Sequence, residues 1–178
     1  MKKLVLAALA LSLLAMTSHG QGTPVADVAG GYSYLHLNGN GGSGANLNGF
    51  SGSVAFNVNN WLGVVGDVGV YHGSPSGVSA TGETYTFGPR FNFRQSGKFV
   101  PFVQALFGGA HLSASAGGLS GSLNPFAFSF GGGADIGIGG SGKIAVRPQF
   151  DYFGFRSNGS TENSERVSIG IVYHIGQK

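Results

Sequence analysis

The sequence predicts an all-β fold, an eight-stranded antiparallel up-and-down transmembrane β-barrel, and three observations carry this prediction. Apolar and polar residues alternate with a period of two over most of the chain. Charged residues make up only 10% of the chain, against about 25% in an ordinary soluble domain. Glycine supplies 34 of the 178 residues, and Phe and Tyr supply 14 and six. So many aromatic residues argue against disorder, and so few charges indicate a surface that does not face water.

Residues 1–20 are predicted to be a signal peptide. Two lysines follow Met1, an apolar run of Leu, Ala and Val covers 4–15, and Ser18-His19-Gly20 offers small residues to a signal peptidase. An apolar run of about 12 residues is too short for a spanning helix, which needs roughly 20. The mature chain, residues 21–178, is then one barrel domain. Its eight basic and seven acidic residues form no basic patch for nucleic acid.

The last segment shows the alternation most clearly. One face carries Val167, Ile169, Ile171, Tyr173 and Ile175, and the other carries Arg166, Ser168, Gly170, Val172 and His174. The same pattern repeats over 50–58, 85–93 and 146–152. In each case bulky apolar residues oppose small or polar ones, which is typical of strands with two different environments.

Eight strands of about 9–12 residues are predicted, the length that a tilted membrane strand requires. They cover 26–37, 49–58, 61–71, 83–94, 99–111, 126–136, 143–154 and 165–175. Short turns are expected at 59–60, 95–98 and 137–142, and longer Gly-, Ser- and Asn-rich loops near 38–48, 72–82, 112–125 and 155–164. Three short turns and four longer loops indicate a meander with both termini on one side.

The polar face is predicted to point into the barrel. It consists mostly of Gly, Ser, Thr and Asn with few charges, which is too small and too sparsely charged for a protein surface. Such side chains suit the interior of an eight-stranded barrel, and the bulky apolar face then contacts lipid. A soluble barrel with its apolar face inside, binding an apolar ligand, remains an alternative.

Six charged residues fall on the face that is predicted to point inward: Asp67, Arg90, Asp135, Arg147, Asp151 and Arg166. Acids and bases are balanced among them, so we expect a network of ion pairs that fills the lumen. An ion-selective constriction is the alternative interpretation.

Aromatic residues near the predicted strand ends indicate girdles at the two membrane interfaces. The predicted girdle residues are Trp61, Tyr85, Phe93, Phe99, Tyr152 and Tyr173. Trp61, Phe93 and Phe99 are expected at the periplasmic rim. The outer rim is expected to carry Tyr34, Tyr71, Tyr85, Phe126 and Tyr152.

Several short motifs resemble those of the OmpA-like outer-membrane β-barrel superfamily, in its small opacity-type branch. They are Gly30-Gly31-Tyr32-Ser33-Tyr34, Gly88-Pro89-Arg90-Phe91, Pro101-Phe102, Arg147-Pro148-Gln149-Phe150-Asp151-Tyr152 and Gly170-Ile171-Val172-Tyr173-His174-Ile175. The resemblance covers essentially the whole mature chain. It implies a multi-pass protein of the bacterial outer membrane with both termini in the periplasm.

The same resemblance implies the partners: outer-membrane lipid, lipopolysaccharide and, during insertion, the barrel-assembly machinery. The chain departs from the family's pattern at its end, where Gly176-Gln177-Lys178 follows Ile175 instead of a terminal aromatic residue, so Tyr173 is the expected anchor. No peptidoglycan-binding domain follows the barrel, so no cell-wall tether is implied. A monomer is expected, because an eight-stranded barrel is complete by itself.

Two motifs were weighed as sites for chemistry. The run from Gly137 to Lys143 approaches a phosphate loop but continues into Ile144 and a predicted strand, so its glycines predict a turn. His111 and Ser113 resemble the His-x-Ser pair of outer-membrane lipid A deacylases, but no acid lies close after Ser113 in the sequence. The histidines show no metal-ligand spacing. No catalytic, cofactor or metal site is therefore expected.

The leading functional prediction is a non-enzymatic integral outer-membrane protein with a structural or surface-interaction role. A narrow passive pore is the second hypothesis, and a lipid-modifying enzyme is the third.

Overall fold

The computed structural model describes residues 22–38, 44–75, 78–94, 98–117, 119–140, 142–157 and 159–176. The predicted signal peptide and its cleavage site before Gln21 lie outside the described residues. Within them, no helix is long and apolar enough to cross a membrane.

Nine strands make up the regular structure of the described chain. They are β1 (Ala26–Leu37), β2 (Ala45–Asn57), β3 (Leu62–Gly73), β4 (Ser79–Asn92), β5 (Phe99–Ala116), β6 (Leu119–Leu123), β7 (Phe126–Ile138), β8 (Ile144–Ser157) and β9 (Ser160–Ile175). All neighbours pair in antiparallel fashion.

The sheet closes into a barrel because its first and last strands pair along their whole length. β1 pairs with β9 from Ala26 opposite Ile175 to Leu37 opposite Ser164. Sequential pairing continues through β2, β3, β4 and β5, and then β5 pairs with β7. Eight strands form the wall, while β6 pairs only with the far end of β5. The predicted eight-stranded antiparallel barrel is confirmed.

The strands extend well beyond their predicted ends on one side. Most of the segments predicted as long loops belong to strands, and the connections that remain there are residues 38–44, 74–78, 117–118, 124–125 and 158–159. β6, inside the predicted loop 112–125, was not predicted as a strand. The prediction was wrong because Gly, Ser and Asn were taken as loop signals, whereas backbone pairing with a neighbouring strand holds them extended.

The two ends of the barrel are named here by their connections. The turn end carries residue 26, residue 175 and the turns 58–61, 93–98 and 139–143, and the loop end carries the other connections. At the turn end, Gly139 (φ 71°) and Gly142 (φ 64°) adopt the left-handed conformation that favours glycine. The phosphate-loop-like glycines therefore lie in a tight turn.

Burial follows the predicted alternation of the strands. Phe50 is 72% exposed and Phe87 is 67% exposed, whereas Arg166 and Asp151 are fully buried. On β5 the outward apolar residues run from Phe99 to Phe107. A nine-residue stretch of tilted strand rises about 22 Å, close to the roughly 25 Å apolar band of outer-membrane barrels. The outside of the wall is thus an apolar belt.

The interior is mainly polar in its turn half, where one small apolar cluster contains Ala55, Val65 and Leu106, and mainly apolar in its loop half. Fourteen hydrophobic residues are buried, and most of the large ones lie toward the loop end. One apolar cluster there contains Leu35, Leu47 and Tyr71, and a second contains Phe153 and Phe155 with two alanines. The charged residues lie between these clusters and the turn end.

Candidate functional site

The centre of the barrel is occupied by one arginine between two aspartates. Arg166 Nη1 donates to Asp67 Oδ1 (2.7 Å), and Arg166 Nη2 donates to Asp151 Oδ2 (2.7 Å). Arg166 Nε also donates to Asp151 Oδ2 (3.0 Å), and Nη1 reaches the hydroxyl of Tyr71 (3.2 Å). All five guanidinium donors have a fixed direction, so this single side chain ties β9 to β3 and β8 across the lumen.

Two glutamines extend this cluster toward the turn end. Gln149 Nε2 donates to Asp151 Oδ2 (2.8 Å), and Gln104 Nε2 donates to Asp151 Oδ1 (3.0 Å). Gln104 Oε1 in turn accepts two hydrogen bonds from Arg90, at 3.0 and 2.8 Å. Gly131 leaves the room for this arrangement, because a Cβ there would lie 2.2 Å from Asp151 Oδ1.

A third ion pair joins β8 to β7. Arg147 Nε and Nη2 donate to the two oxygens of Asp135 at 2.6 and 2.8 Å, a bidentate geometry. The guanidinium groups of Arg147 and Arg90 also lie 4.9 and 4.3 Å from the ring centroid of Phe102, which is itself buried in the lumen. An aromatic face attracts a cation, so Phe102 contributes to holding both arginines.

The turn end of the lumen holds a third group that sequence reasoning missed. Asp27 accepts hydrogen bonds from Asn57 Nδ2 (3.0 Å) and Arg94 Nη2 (3.4 Å), and its Oδ1 lies 2.6 Å from His174 Nδ1. Asn92 Nδ2 donates to Asn57 Oδ1 (3.3 Å). A signal did exist, since Asp27 precedes Ala29, Gly31 and Ser33 on the small-residue face of β1.

The six predicted lumen residues are thus all buried inside the barrel. Five of them, Asp67, Asp151, Arg166, Asp135 and Arg147, form three ion pairs. Arg90 does not share this geometry: it bonds to Gln104 and not to a carboxylate. The sequence could not show that a glutamine on β5 would stand between Arg90 and Asp151.

The room left inside the lumen is small. A cavity of about 20 Å³ lies beside Asp67, Arg147 and Gln149, against the small residues Ser51 and Ser53. A single water requires about this volume. This cavity therefore leaves room for about one water beside the ion pairs.

The six predicted girdle residues lie on the outer wall, but at different heights. Trp61 stacks on Phe91 at the turn end, with ring centroids 5.9 Å apart, and Phe99 begins β5 nearby. Phe93 is half-buried in the turn before β5, and Tyr173 lies near the end of β9. Tyr85 and Tyr152 lie within the longer strands rather than at their ends.

One further aromatic prediction was wrong. Tyr71 was expected at the outer rim, but it is fully buried inside the barrel and its hydroxyl bonds to Arg166. Tyr71 lies four residues after Asp67 on β3, so the alternation of the strand points both side chains inward.

Above the apolar belt, toward the loop end, the outward residues become polar. Three histidines in this polar region lie beside a polar residue on the neighbouring strand or directly after it. Nδ1 of His36 lies 2.5 Å from Asn46, that of His72 lies 3.3 Å from Thr81, and that of His111 lies 2.7 Å from Asn124. Among the described residues, no three His, Asp or Glu side chains are grouped as metal ligands would be.

The His-x-Ser motif lies in this polar border. His111 and Ser113 occupy the same outward face of β5. β4 places Glu83 directly opposite His111, so the acid that is missing after Ser113 in the sequence comes from a neighbouring strand. The hydrogen-bond partner of His111 Nδ1 is the amide oxygen of Asn124, not this carboxylate.

Comparisons with known proteins identify the fold. No protein-family model and no curated protein sequence matches the chain. Among solved structures, Neisserial surface protein A (NspA) has a TM-score of 0.72 at 14% identity, covering 87% of this chain and 100% of that one. The attachment invasion locus protein Ail of Yersinia pestis has a TM-score of 0.64 at 18% identity, covering 85% and 98%. The N-terminal β-barrel domain of Pseudomonas aeruginosa OprF has a TM-score of 0.60 at 15% identity, covering 86% and 100%.

These structures agree with the resemblance that the sequence motifs indicated. The chain has the fold of the small eight-stranded β-barrels of bacterial outer membranes.

Proposed function

We propose that the chain is an integral outer-membrane protein with a closed lumen and a structural or surface-interaction role, and that it is not an enzyme. The apolar belt supports the membrane location, since more than 20 large hydrophobic side chains on the wall would otherwise face water. Barrel closure supports it as well, because no strand edge of the wall is left to lose hydrogen bonds in hydrocarbon. The turn end and both termini face the periplasm, and the loop end faces outward.

One observation carries the closed-lumen proposal. Arg166 crosses the lumen from β9 and bonds to carboxylates on β3 and β8, while Arg147, Arg90 and Phe102 fill the level toward the turn end. An ion path would have to part these bidentate, buried pairs. The passive pore is therefore the weaker hypothesis.

Planar-bilayer conductance of the refolded chain tests this proposal. We expect no unitary currents from the native sequence. A variant with Asp67, Asp151 and Arg166 all replaced by alanine should also stay silent, because Arg147, Arg90 and Phe102 still fill the level toward the turn end. Steady unitary currents from the native chain would contradict a closed lumen. Migration on SDS gels with and without boiling establishes separately that each variant is a folded barrel.

The partners proposed with this function are outer-membrane lipid, lipopolysaccharide and the barrel-assembly machinery. Tyr173, half-exposed near the end of β9, is the proposed anchor for assembly. The protein is proposed to act as a monomer, since its wall closes on itself.

A lipid-modifying hydrolase is a second candidate, favoured by the position of Glu83 opposite His111 and by Ser113 on the same face. A serine nucleophile needs a histidine to accept its proton and a polar group to orient that histidine. Asn124 supplies an orienting contact, but among the described residues no hydrogen bond joins His111 to Ser113.

Mass spectrometry of lipid A after incubation with the refolded chain decides between the structural or surface-interaction role and the hydrolase. We expect the same lipid A species with the native chain, with Ser113→Ala and without protein. Loss of an acyl chain with the native sequence, and not with Ser113→Ala, would establish the hydrolase.

A further inference from the structure

We propose that the outer face of β4, β5 and β6 binds the sugar headgroup of a glycolipid in the surrounding outer leaflet. This inference rests on the membrane location and the lipopolysaccharide partner proposed above, and it gives that partner a site on the outer wall of the barrel.

The three strands repeat one local pattern, a pair of hydroxyl residues separated by a small residue. The segments are Ser79-Ala80-Thr81, Ser113-Ala114-Ser115 and Ser120-Gly121-Ser122. Strand pairing brings the six hydroxyl residues into two rows, here called the hydroxyl rows. One row is Ser79, Ser115 and Ser120, and the other is Thr81, Ser113 and Ser122. Neighbours within a row are about 4.8 Å apart, and the rows are about 7 Å apart.

The hydroxyl rows lie open and largely without partners. Thr81 is near His72, but among the described residues no side chain bonds to the five serine hydroxyls. A recess of about 360 Å³ lies against them, lined by these six residues with Ala114 and Gly121. That volume falls in the range of small-ligand sites. Five unpaired hydroxyls on one rigid sheet can each donate and accept a hydrogen bond.

The chemistry of the rows selects a neutral, hydroxyl-rich ligand. No charged residue stands in either row, and the nearest acid on these strands is Glu83, one step below on β4. An anion would find no cation in the rows to pair with. Sugar hydroxyls also both donate and accept, so they match serine hydroxyls without any charge.

The height of the rows distinguishes a glycolipid from a phospholipid. On β5 the apolar belt ends at Phe107, and Ser113 and Ser115 follow six and eight residues further along the same outward face. Those steps rise about 15 and 20 Å along a tilted strand. The headgroup layer of a phospholipid is only about 5–8 Å thick, so it would end below the rows.

The same wall carries the other parts of such a lipid in the right order. Tyr85, Phe87 and Phe107 face the acyl chains, and Glu83, His111 and Asn124 form the polar border above them. The hydroxyl rows come last. The order from apolar belt to polar border to hydroxyls is the order of a glycolipid from tail to sugar.

The opposite wall lacks this arrangement. Beyond Val167, the outward residues of β9 are Glu165, Asn163 and Thr161. Glu165 pairs with His36 on one side and with Tyr152 on the other, so no hydroxyl row forms there. Hence β9 provides a matched control surface.

Native mass spectrometry of the refolded chain in detergent, titrated with purified lipopolysaccharide, tests the proposal. The test variant is Ser120→Ala with Ser122→Ala, which removes two exposed hydroxyls and leaves Ser113 and the polar border intact. The control variant is Thr161→Ala with Asn163→Ala, which removes two exposed polar side chains from the outward face of β9. We expect about tenfold weaker binding by the test variant, from the loss of two hydrogen bonds, and unchanged binding by the control.

Three outcomes would overturn the proposal: equal binding by both variants, binding of phosphatidylglycerol as tight as that of lipopolysaccharide, or equally effective competition by the deacylated polysaccharide. Tight binding of phosphatidylglycerol would show that the site accepts any membrane lipid, and effective competition by the polysaccharide would show that it binds a soluble glycan. Failure of the proposed membrane barrel can be told apart from failure of the glycolipid site, because an unfolded or soluble chain would show no heat-dependent shift on SDS gels.

Discussion

The two halves of the barrel interior are filled by different kinds of side chain. In the turn half, aspartates, arginines and amides bond to one another, whereas in the loop half Leu35, Leu47, Phe153 and Phe155 pack mainly against other apolar side chains, and only Phe153 also faces the Arg166 guanidinium. Hydrogen bonds with a fixed direction specify which strands face each other, and apolar packing fills whatever space results. The comparison therefore predicts that the polar half is sensitive to the removal of one partner and the apolar half to the loss of volume.

The largest effect is expected from Arg166→Ala. It leaves Asp67 and Asp151 buried without their cation, which costs about 3–5 kcal/mol in the free energy of unfolding. Urea unfolding of the chain from lipid vesicles, followed on unboiled gels, measures this. Arg156→Ala on the exposed side of β8 is the control and should change stability by less than about 0.5 kcal/mol. Equal effects of the two variants would contradict a central role for Arg166.

The second prediction compares one single and one double variant of the Asp135–Arg147 pair. Asp135→Leu alone should cost about 3 kcal/mol, because Arg147 stays buried without its partner. Adding Arg147→Met should restore stability to within about 1 kcal/mol of the native chain, since apolar groups of similar volume replace the whole pair. The same unfolding assay gives both values. A double variant much less stable than the native chain would show that the pair contributes net stability.

In the apolar half, Leu47→Ala should cost about 2–3 kcal/mol through lost burial and the cavity it leaves. Leu47→Met should cost under about 1.5 kcal/mol, because it conserves volume. If both substitutions were neutral in the unfolding assay, the loop half would not contribute to the packed core.

The smallest effect is expected where the two halves meet. Tyr71→Phe removes the hydroxyl that accepts from Arg166 and should cost about 1 kcal/mol. Tyr32→Phe removes an exposed hydroxyl that bonds to Asn48 and should change stability by less than about 0.5 kcal/mol. The difference between the two changes in unfolding free energy is the contribution of the buried hydrogen bond. Equal values would show that the Tyr71 hydroxyl does not stabilise the polar half.

The fold followed from the sequence because strand alternation is local. The alternation in the segment from Val167 to Ile175 separates an outward face from an inward face without information from any other strand. The same local pattern identified the six charged residues that lie inside. The loops were predicted less well. The hydroxyl-rich segments at 79–81, 113–115 and 120–122 look like loop sequence one at a time, and only their pairing with one another shows that they form a sheet.

The sequence predicted which charged residues lie inside the barrel, but not which side chains they bond to. Gln104 and Phe102, which hold Arg90, carry no sequence signal that connects them to it. Strict alternation from Asp67 places Tyr71 inside, and the prediction failed there because a large aromatic residue was expected to face outward. Asp27 and Glu83 depend on neighbours distant in the sequence, His174 and His111 respectively.

The pairing of β1 with β9 has a consequence for how the chain reaches its final state. Val25 donates its backbone N–H to Ile175, and Asp27 meets His174 across 147 positions of the sequence. Contacts between such distant positions form slowly, because a long loop must be closed before they contribute any stability. Until β9 is in place, β1 and β8 both expose unpaired backbone groups that hydrocarbon cannot satisfy. In the membrane location proposed above, a partly inserted chain would therefore have no stable state, because only closure of the seam between β1 and β9 satisfies the last strand edges.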